Sequence, residues 1–419
     1  MWCSFLFVFL VGPAPQVEEK VKSDPLQVHI EALSDDELEG RNAGTPGAKR
    51  AAQYIVERLR EYQLLPGPDG AYVQRFSFPL YDLEDRHSLQ PIQGKGFNVV
   101  GFVEGASRSE EVVMVVSHYD HLGREGQPNP GRRPEKGGDK IWNGANDNAS
   151  GMAAFLSLAE SVAAMKPART FLFVAFSAKE HRQQGSQWYR DHPLIPFRQV
   201  VFVLSIDRVG RLQSSPLEVH GVGTGRELRP LVEASLAAET VKATLFDHAG
   251  VRSSFGDQVI FYEEGIPTIL MTALPQRLDR TSRDHSDQID LAALQKVTRS
   301  ALGILTRIDQ AASPLPFVKG RRFGFLQGGT ASAGFIKAVG LEENAGAILV
   351  LEVSANTVAS RAGVKKGDWI LSFNETSLPR FGAIQALRRS LDAISPGKPV
   401  PVVVLRGRKK VSLQAEWSE

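Results

Sequence analysis

The sequence predicts an α/β protein in which a β-sheet is covered on both faces by helices, followed by a smaller unit of β-strands and a helix. Three observations predict it. Near-continuous apolar runs recur at 112–116, 170–176, 200–206 and 268–271. Helical patterns, notably 151–164 and 291–308, lie between or after them, which is the alternation of a sheet buried on both sides. After Ser313-Pro314-Leu315-Pro316, a stiff linker, the pattern changes to short β-like runs at 347–353, 369–373 and 400–405 with one helical stretch at 384–391.

Read in order, the chain divides into a leader at 1–24, a sheet domain at 25–312, a linker at 313–318 and a small domain at 319–419. The apolar run from Trp2 to Val11 has the length of an export-signal core and is too short to span a bilayer, and Gly12-Pro13-Ala14-Pro15 breaks it as a cleavage region would. No Lys or Arg precedes it, so a buried N-terminal strand is the alternative. No other stretch approaches ~18 apolar residues, which argues against an integral membrane segment. From 48 to 62, Ala51, Ala52, Ile55, Leu59 and Tyr62 share one helical face, and Pro66-Gly67-Pro68 closes the segment.

Composition narrows the chemistry. The 419 residues carry a net charge of +2, too small to imply a nucleic-acid or anionic partner. The one cysteine, Cys3, leaves no disulfide and no thiolate metal site, so any metal must be held by nitrogen and oxygen.

Four motifs follow the apolar strands: Ser117-His118-Tyr119-Asp120, then Asn143-Gly144-Ala145-Asn146-Asp147-Asn148-Ala149-Ser150-Gly151, then Ser177-Ala178-Lys179-Glu180, then Ser205-Ile206-Asp207. Open α/β sheets place their sites beyond the C-terminal ends of strands, where these residues stand. Two zinc ions a few ångströms apart share a bridging carboxylate, and a nearby carboxylate takes the proton from water. The inventory is present in order: His118 as ligand, Asp120 to orient its imidazole, Asp147 as bridge, Glu180 and Asp207 as one ligand to each metal. A lone His-x-Asp is common in ordinary cores, whereas four such motifs in sequence are not.

These motifs, with Leu38-Glu39-Gly40-Arg41 to Gly47, His121-Leu122-Gly123 and Asp207-Arg208-Val209-Gly210-Arg211, resemble the aminopeptidase Y family of co-catalytic zinc metallopeptidases across about residues 30–310. The resemblance implies a mixed β-sheet flanked by helices, two zinc ions, and release of N-terminal amino acids or related amide hydrolysis. The turn Ala362-Gly363-Val364-Lys365-Lys366-Gly367-Asp368-Trp369 and the stretch from Val404 to Gly407 resemble a PDZ domain. That likeness implies binding of a peptide or protein C-terminus, with Phe323-Gly324-Phe325 as the carboxylate-cradling loop.

The departures from the family pattern carry as much information. Where the family has its general base stands Lys179, whose ammonium cannot accept a proton at neutral pH unless burial lowers its pKa by several units. Anchoring on Asp284, Asp287, Ile289 and Asp290 puts Arg280 at the family's remaining metal histidine, and a guanidinium has no lone pair to give. Using His285 instead requires a five-residue slip. Gly256-Asp257-Gln258 and Arg208 also depart from the family.

One metal position thus keeps His118, Asp147 and Asp207, while the other retains Glu180 and the bridge but gains Lys179 and Arg280. Two fixed cations carry about the charge of one Zn²⁺, so the expectation is one zinc rather than two, with no zinc as the alternative, and impaired or absent catalysis. The alternatives are an active aminopeptidase in which Asp284, His285 or water makes good the loss, and a PDZ-based scaffold. His87, His181, His192, His220 and His248 read as surface or core residues, and Arg406-Gly407-Arg408-Lys409-Lys410 as a solvated hairpin.

Overall fold

The computed structural model describes residues 24–80, 92–127, 138–213, 215–247, 256–273, 276–319, 325–355, 357–380, 382–394 and 397–417. Residues 1–23 of the leader, His87 and His248, and Phe323 and Gly324 of the expected cradle lie outside them.

Asp24 caps α1 (Pro25–Leu33) by accepting the Leu26 N–H at 2.8 Å, and Thr45 caps α2 (Pro46–Glu61), the helix predicted at 48–62. The sheet strands follow: β1 (Val73–Leu80), β2 (Ile92–Val103) and β3 (Arg108–His118), with the two-residue pair β4 (Gly123–Arg124) and β5 (Ile141–Trp142) beside them. Then come α3 (Gly151–Met165), β6 (Arg169–Phe176), α4 (Gln184–Asp191), β7 (Val200–Asp207), β8 (Leu217–His220), α5 (Leu228–Ala238), β9 (Ala243–Phe246), α6 (Val259–Glu263), β10 (Thr268–Ala273) and α7 (Leu291–Gln310).

The eight-stranded sheet has the order β1-β2-β6-β3-β7-β10-β8-β9. Its centre, β6-β3-β7-β10, is parallel, while β1-β2, β2-β6 and β10-β8 are antiparallel, so the sheet is mixed. Strand alternation divides the core. Val113 and Val115 face helices α1, α2, α3, α5 and α7, whereas Val112, Met114 and Val116 face Tyr189 of α4 and Phe261 of α6. Both faces are therefore covered, which is why these strands read as continuous apolar runs.

The linker differs from a free spacer. Pro316 O accepts the Arg226 N–H at 3.0 Å, the Val318 N–H donates to Thr224 O at 2.8 Å, and the Phe317 ring lies 5.5 Å from that of Tyr262. Beyond it stand β11 (Phe325–Thr330), α8 (Ala333–Ala338), β12 (Ile348–Val353), α9 (Val358–Arg361), β13 (Trp369–Phe373), β14 (Thr376–Ser377), α10 (Ala383–Asp392), β15 (Val400–Arg406) and β16 (Lys409–Ala415). Their sheet runs β11-β12-β13-β15-β16, with β14 on β13. Phe325 opens the edge strand β11. Asp368, the polar anchor of the predicted turn, is buried and accepts the Lys365 N–H and Arg406 Nε, each at 2.8 Å. The basic cluster forms the expected hairpin, with Arg406 paired to Lys409 across β15 and β16.

Candidate metal centre

The four motifs converge because three parallel strands end side by side. In register His118 of β3 stands opposite Phe176 of β6, and Val116 opposite Ser205 of β7, so His118, Asp207 and the turn after β6 meet at one edge of the sheet. Asp147 reaches them from the turn at 145–150, whose polar residues are all committed to holding it. Asn148 Nδ2 donates to Ser117 Oγ at 3.0 Å and His118 O at 3.1 Å, and its Oδ1 accepts the Arg208 N–H at 2.8 Å. Asn146 Oδ1 accepts the Gly210 N–H at 2.9 Å. Asp284 accepts the N–H groups of Asn146 and Asp147 at 2.9 and 3.1 Å and is also bonded by Arg211.

Asp120 serves the adjoining turn. Its two carboxylate oxygens accept the N–H groups of Lys179 and Glu180, each at 3.0 Å, and the nearer stands 3.7 Å from His118 Nδ1. The imidazole Nδ1 lies closer to the Asp120 main-chain oxygen, at 3.1 Å.

His118 Nε2 lies 3.4 Å from Asp207 Oδ1 and 3.7 Å from Asp147 Oδ1. Ligand atoms about 2.1 Å from a tetrahedral Zn²⁺ stand about 3.4 Å apart, so this set has the spacing and donor chemistry for one such ion. All three side chains are buried, and neither carboxylate oxygen of Asp147 accepts a hydrogen bond from the described residues. A buried carboxylate whose oxygens accept no hydrogen bond is open to a cation, and His118 and Asp207 stand beside it.

Lys179 occupies the other half of the centre. Its Nζ stands 3.3 Å from Glu180 Oε1, 3.7 Å from Asp207 Oδ2 and 3.9 Å from Asp147 Oδ1. Burial opposes its charge, but Asp207, Glu180 and Asp147 outweigh burial and hold the ammonium above its ordinary pKa. The Arg280 guanidinium bonds Glu180 Oε2, and Arg208 Nη2 lies 3.5 Å from Asp207 Oδ2. Burial would raise the three carboxylates, yet these cations hold all of them well below the usual range. For His118, burial and Lys179 favour the neutral ring, while Asp120 and Asp207 prevail and raise it to about 10.

Thus Lys179 and Arg280, the two departures read from the sequence, meet at Glu180. His285 does not join them. Its side chain is 42% exposed and faces Asp139 at 3.5 Å, so the register slip that would make it a ligand finds no support in the geometry. Asp284 is fully engaged in holding the 145–150 turn. Asp257 is buried and accepts the Ser186 hydroxyl at 2.5 Å. Of the histidines expected on the surface or in the core, His181 bonds Asn42 at 2.8 Å, His192 stacks on Trp188 and His220 bonds Glu218 at 2.8 Å.

Three participants are not legible as such in the sequence. Arg208 departs from the family pattern, but only the structure makes it a partner of Asp207. Arg41, fully buried, donates to Tyr119 O at 2.7 Å, Gly144 O at 3.0 Å, and the carbonyls of Leu33 and Asn143, so it ties both ligand loops to α1. His121 is completely buried, both ring nitrogens lack a partner among the described residues, and its donor atom lies within 4.8 Å of those of Asp147 and Glu180. The signal for His121 lies in the motif itself, as the second imidazole of a pair three residues apart.

Comparison with known proteins places this geometry. Residues 98–305 match the sequence profile of Peptidase family M28, and residues 338–416 that of a PDZ domain. A probable zinc metalloprotease of Leptosphaeria maculans is 25% identical over 298 residues, 66% of this chain and 64% of that protein. Another, of Pyricularia oryzae, is 27% identical over 266 residues, covering 59% of this chain and 47% of that protein, so the chain spans about half to two thirds of these relatives. Among solved structures, a zinc aminopeptidase from Bacillus subtilis shares the fold with a TM-score of 0.53 and 17% identity, over 70% of this chain and 97% of that one. A glutaminyl cyclase from Bacteroides thetaiotaomicron does so with a TM-score of 0.52 and 18% identity, over 68% and 97%. Residues 98–305 therefore form a peptidase family M28 domain, and a PDZ domain follows it at 338–416.

Proposed function

We propose that this protein is a metallopeptidase-family member with impaired or absent hydrolysis, which binds peptides or a protein partner and holds one zinc ion at His118, Asp147 and Asp207. The observation that carries the proposal is the Lys179 ammonium, 3.3–3.9 Å from the carboxylates of Glu180, Asp207 and Asp147 at the family's general-base position. A group held charged by three carboxylates has no lone pair with which to take a proton from water. Zinc at the His118 set would supply Lewis acidity toward a carbonyl, but among the described residues Asp147, Glu180 and Asp207 are already balanced by Lys179, Arg208 and Arg280. In this reading Lys179 and Arg280 stand in for the second zinc. The PDZ domain supplies the peptide-binding activity, through the edge of β11. Residence outside the cytoplasm belongs to the same proposal and rests on residues 2–15 alone.

The test is turnover of chromogenic aminoacyl substrates by the full chain with added zinc, set beside Lys179→Glu. Loss of a general base costs about 10²–10⁴ in rate, so the wild type is expected at or near background and the variant above it. Chelator-sensitive turnover by the wild type at an ordinary enzymatic rate, about 1–10³ s⁻¹, would overturn the proposal.

A further inference from the structure

We infer that His121 is the imidazole ligand of a second cation position, formed with Asp147 and Glu180, which the Lys179 ammonium fills in this chain and a divalent ion would fill in its absence. The inference rests on the proposed function only in taking Lys179 as the present occupant.

Four observations carry it. The His121 ring is wholly buried and neither nitrogen has a hydrogen-bond partner among the described residues, although a buried imidazole normally satisfies at least one. Both oxygens of Asp147, the carboxylate shared with the His118 set, are likewise without a hydrogen bond. The donor atoms of His121, Asp147 and Glu180 all lie within 4.8 Å of one another, and the Lys179 ammonium sits between the two carboxylates, 3.9 Å from Asp147 and 3.3 Å from Glu180.

The fourth observation concerns Gly144. A Cβ built there would stand 2.5 Å from His121 Cδ2 and 2.6 Å from its Cγ, and the residue has a φ of +60°, so a side chain is excluded on both counts. The imidazole packs against that glycine, while the His121 main-chain N–H donates to Arg41 O at 3.3 Å. Two separate motifs thus fix one ring that neither the surface nor the core explains.

Arg280 and Lys179 hold different oxygens of Glu180, Oε2 and Oε1 respectively, so removing the ammonium frees the oxygen on the shared side. The missing histidine of the family pattern would then be replaced in space by His121 rather than in sequence at 280.

Metal-free full-length chain would be titrated with Co²⁺, with bound metal counted and the d–d absorption followed. Wild type is expected to take one ion per chain, Lys179→Ala two, Lys179→Ala with Arg280→Ala still two, and Lys179→Ala with His121→Gln one again. A second ion that survives His121→Gln, or one ion only in Lys179→Ala, would overturn the inference. Two ions in the wild type would defeat the proposed role of Lys179 as occupant, and His121→Gln in that background would then decide the ligand alone. Should the His121→Gln variants lose their fold, anomalous diffraction from cobalt-loaded Lys179→Ala crystals answers independently: a second ion in contact with His121 supports the inference and one away from it refutes it.

Discussion

Replacing Lys179 by Met removes a charge while keeping much of the side chain's length, and its effect can be worked out from the centre. Asp147, Glu180 and Asp207 are nearly buried, and Lys179 is itself only 13% exposed. With Met the three carboxylates lose the ammonium they share and keep the guanidinium groups of Arg208 and Arg280 and the charge of His118. Removing one partner of a buried ion pair costs about 3–5 kcal/mol, and the lower end applies because the His118 imidazolium, raised to about 10, still offers charge nearby. At about 2–3 °C per kcal/mol for a domain of this size, the expected drop in Tm is about 6–9 °C in chelator. Zinc in excess should narrow the gap, since the position that Lys179 vacates would take an ion the wild type does not, and binding at about 100 times Kd adds about 2.7 kcal/mol. The assay is thermal unfolding of both proteins, each with chelator and with zinc. A chelated Lys179→Met protein melting within about 1 °C of wild type would refute the reasoning, because the ammonium would then be balancing nothing.

Arg41→Ala should cost about 3 kcal/mol or more in urea unfolding, since it removes the guanidinium donor from the buried carbonyls of Leu33, Tyr119 and Asn143 and one of the two donors of Gly144 O, and a cost under about 1 kcal/mol would contradict the clamp. His29, held between the hydroxyls of Tyr54 at 2.7 Å and Tyr62 at 2.9 Å, is pushed down to about 4, first by burial and then by Arg58. Its folded pKa lies below the unfolded 6.5, so the unfolded chain binds the extra proton between those values: the stability is full above about 6.5 and is lost as pH falls toward about 4. Between pH 7.5 and pH 5 the loss is about 2 kcal/mol at ~1.36 kcal/mol per pKa unit, and His29→Gln should flatten that part of the urea-midpoint profile.

Much of the sheet was legible because its central strands are buried on both faces and so read as unbroken apolar runs, and because helices α2, α3 and α7 are long enough for their periodicity to show. The four-residue strands β8 and β9 are too short for either signal. Within the centre, residue types and their order pointed to His118, Asp147, Glu180 and Asp207, and register against Asp290 located Arg280. What no spacing could supply was direction. His118 and His121 lie three residues apart as the chain leaves β3, and only the turn over Gly144 decides that the second ring also points inward. Arg208 likewise follows a strand end with a φ of +51°, a backbone choice that sequence does not announce. Arg41 lies 78 residues from Tyr119 and 103 from Gly144, contacts that local pattern cannot reveal.

The Arg41 clamp also bears on the order of assembly. Its segment is synthesised before any ligand loop, yet its guanidinium has nothing to grip until β3 and the 145–150 turn exist. Collapse of the apolar sheet does not require it, whereas closure of the centre does. The core can therefore form first and the centre last, with docking of the N-terminal segment as the closing step. A metal ion added early would meet loops that still stand apart, and one added late would meet a site whose geometry is already set by a residue that never touches it.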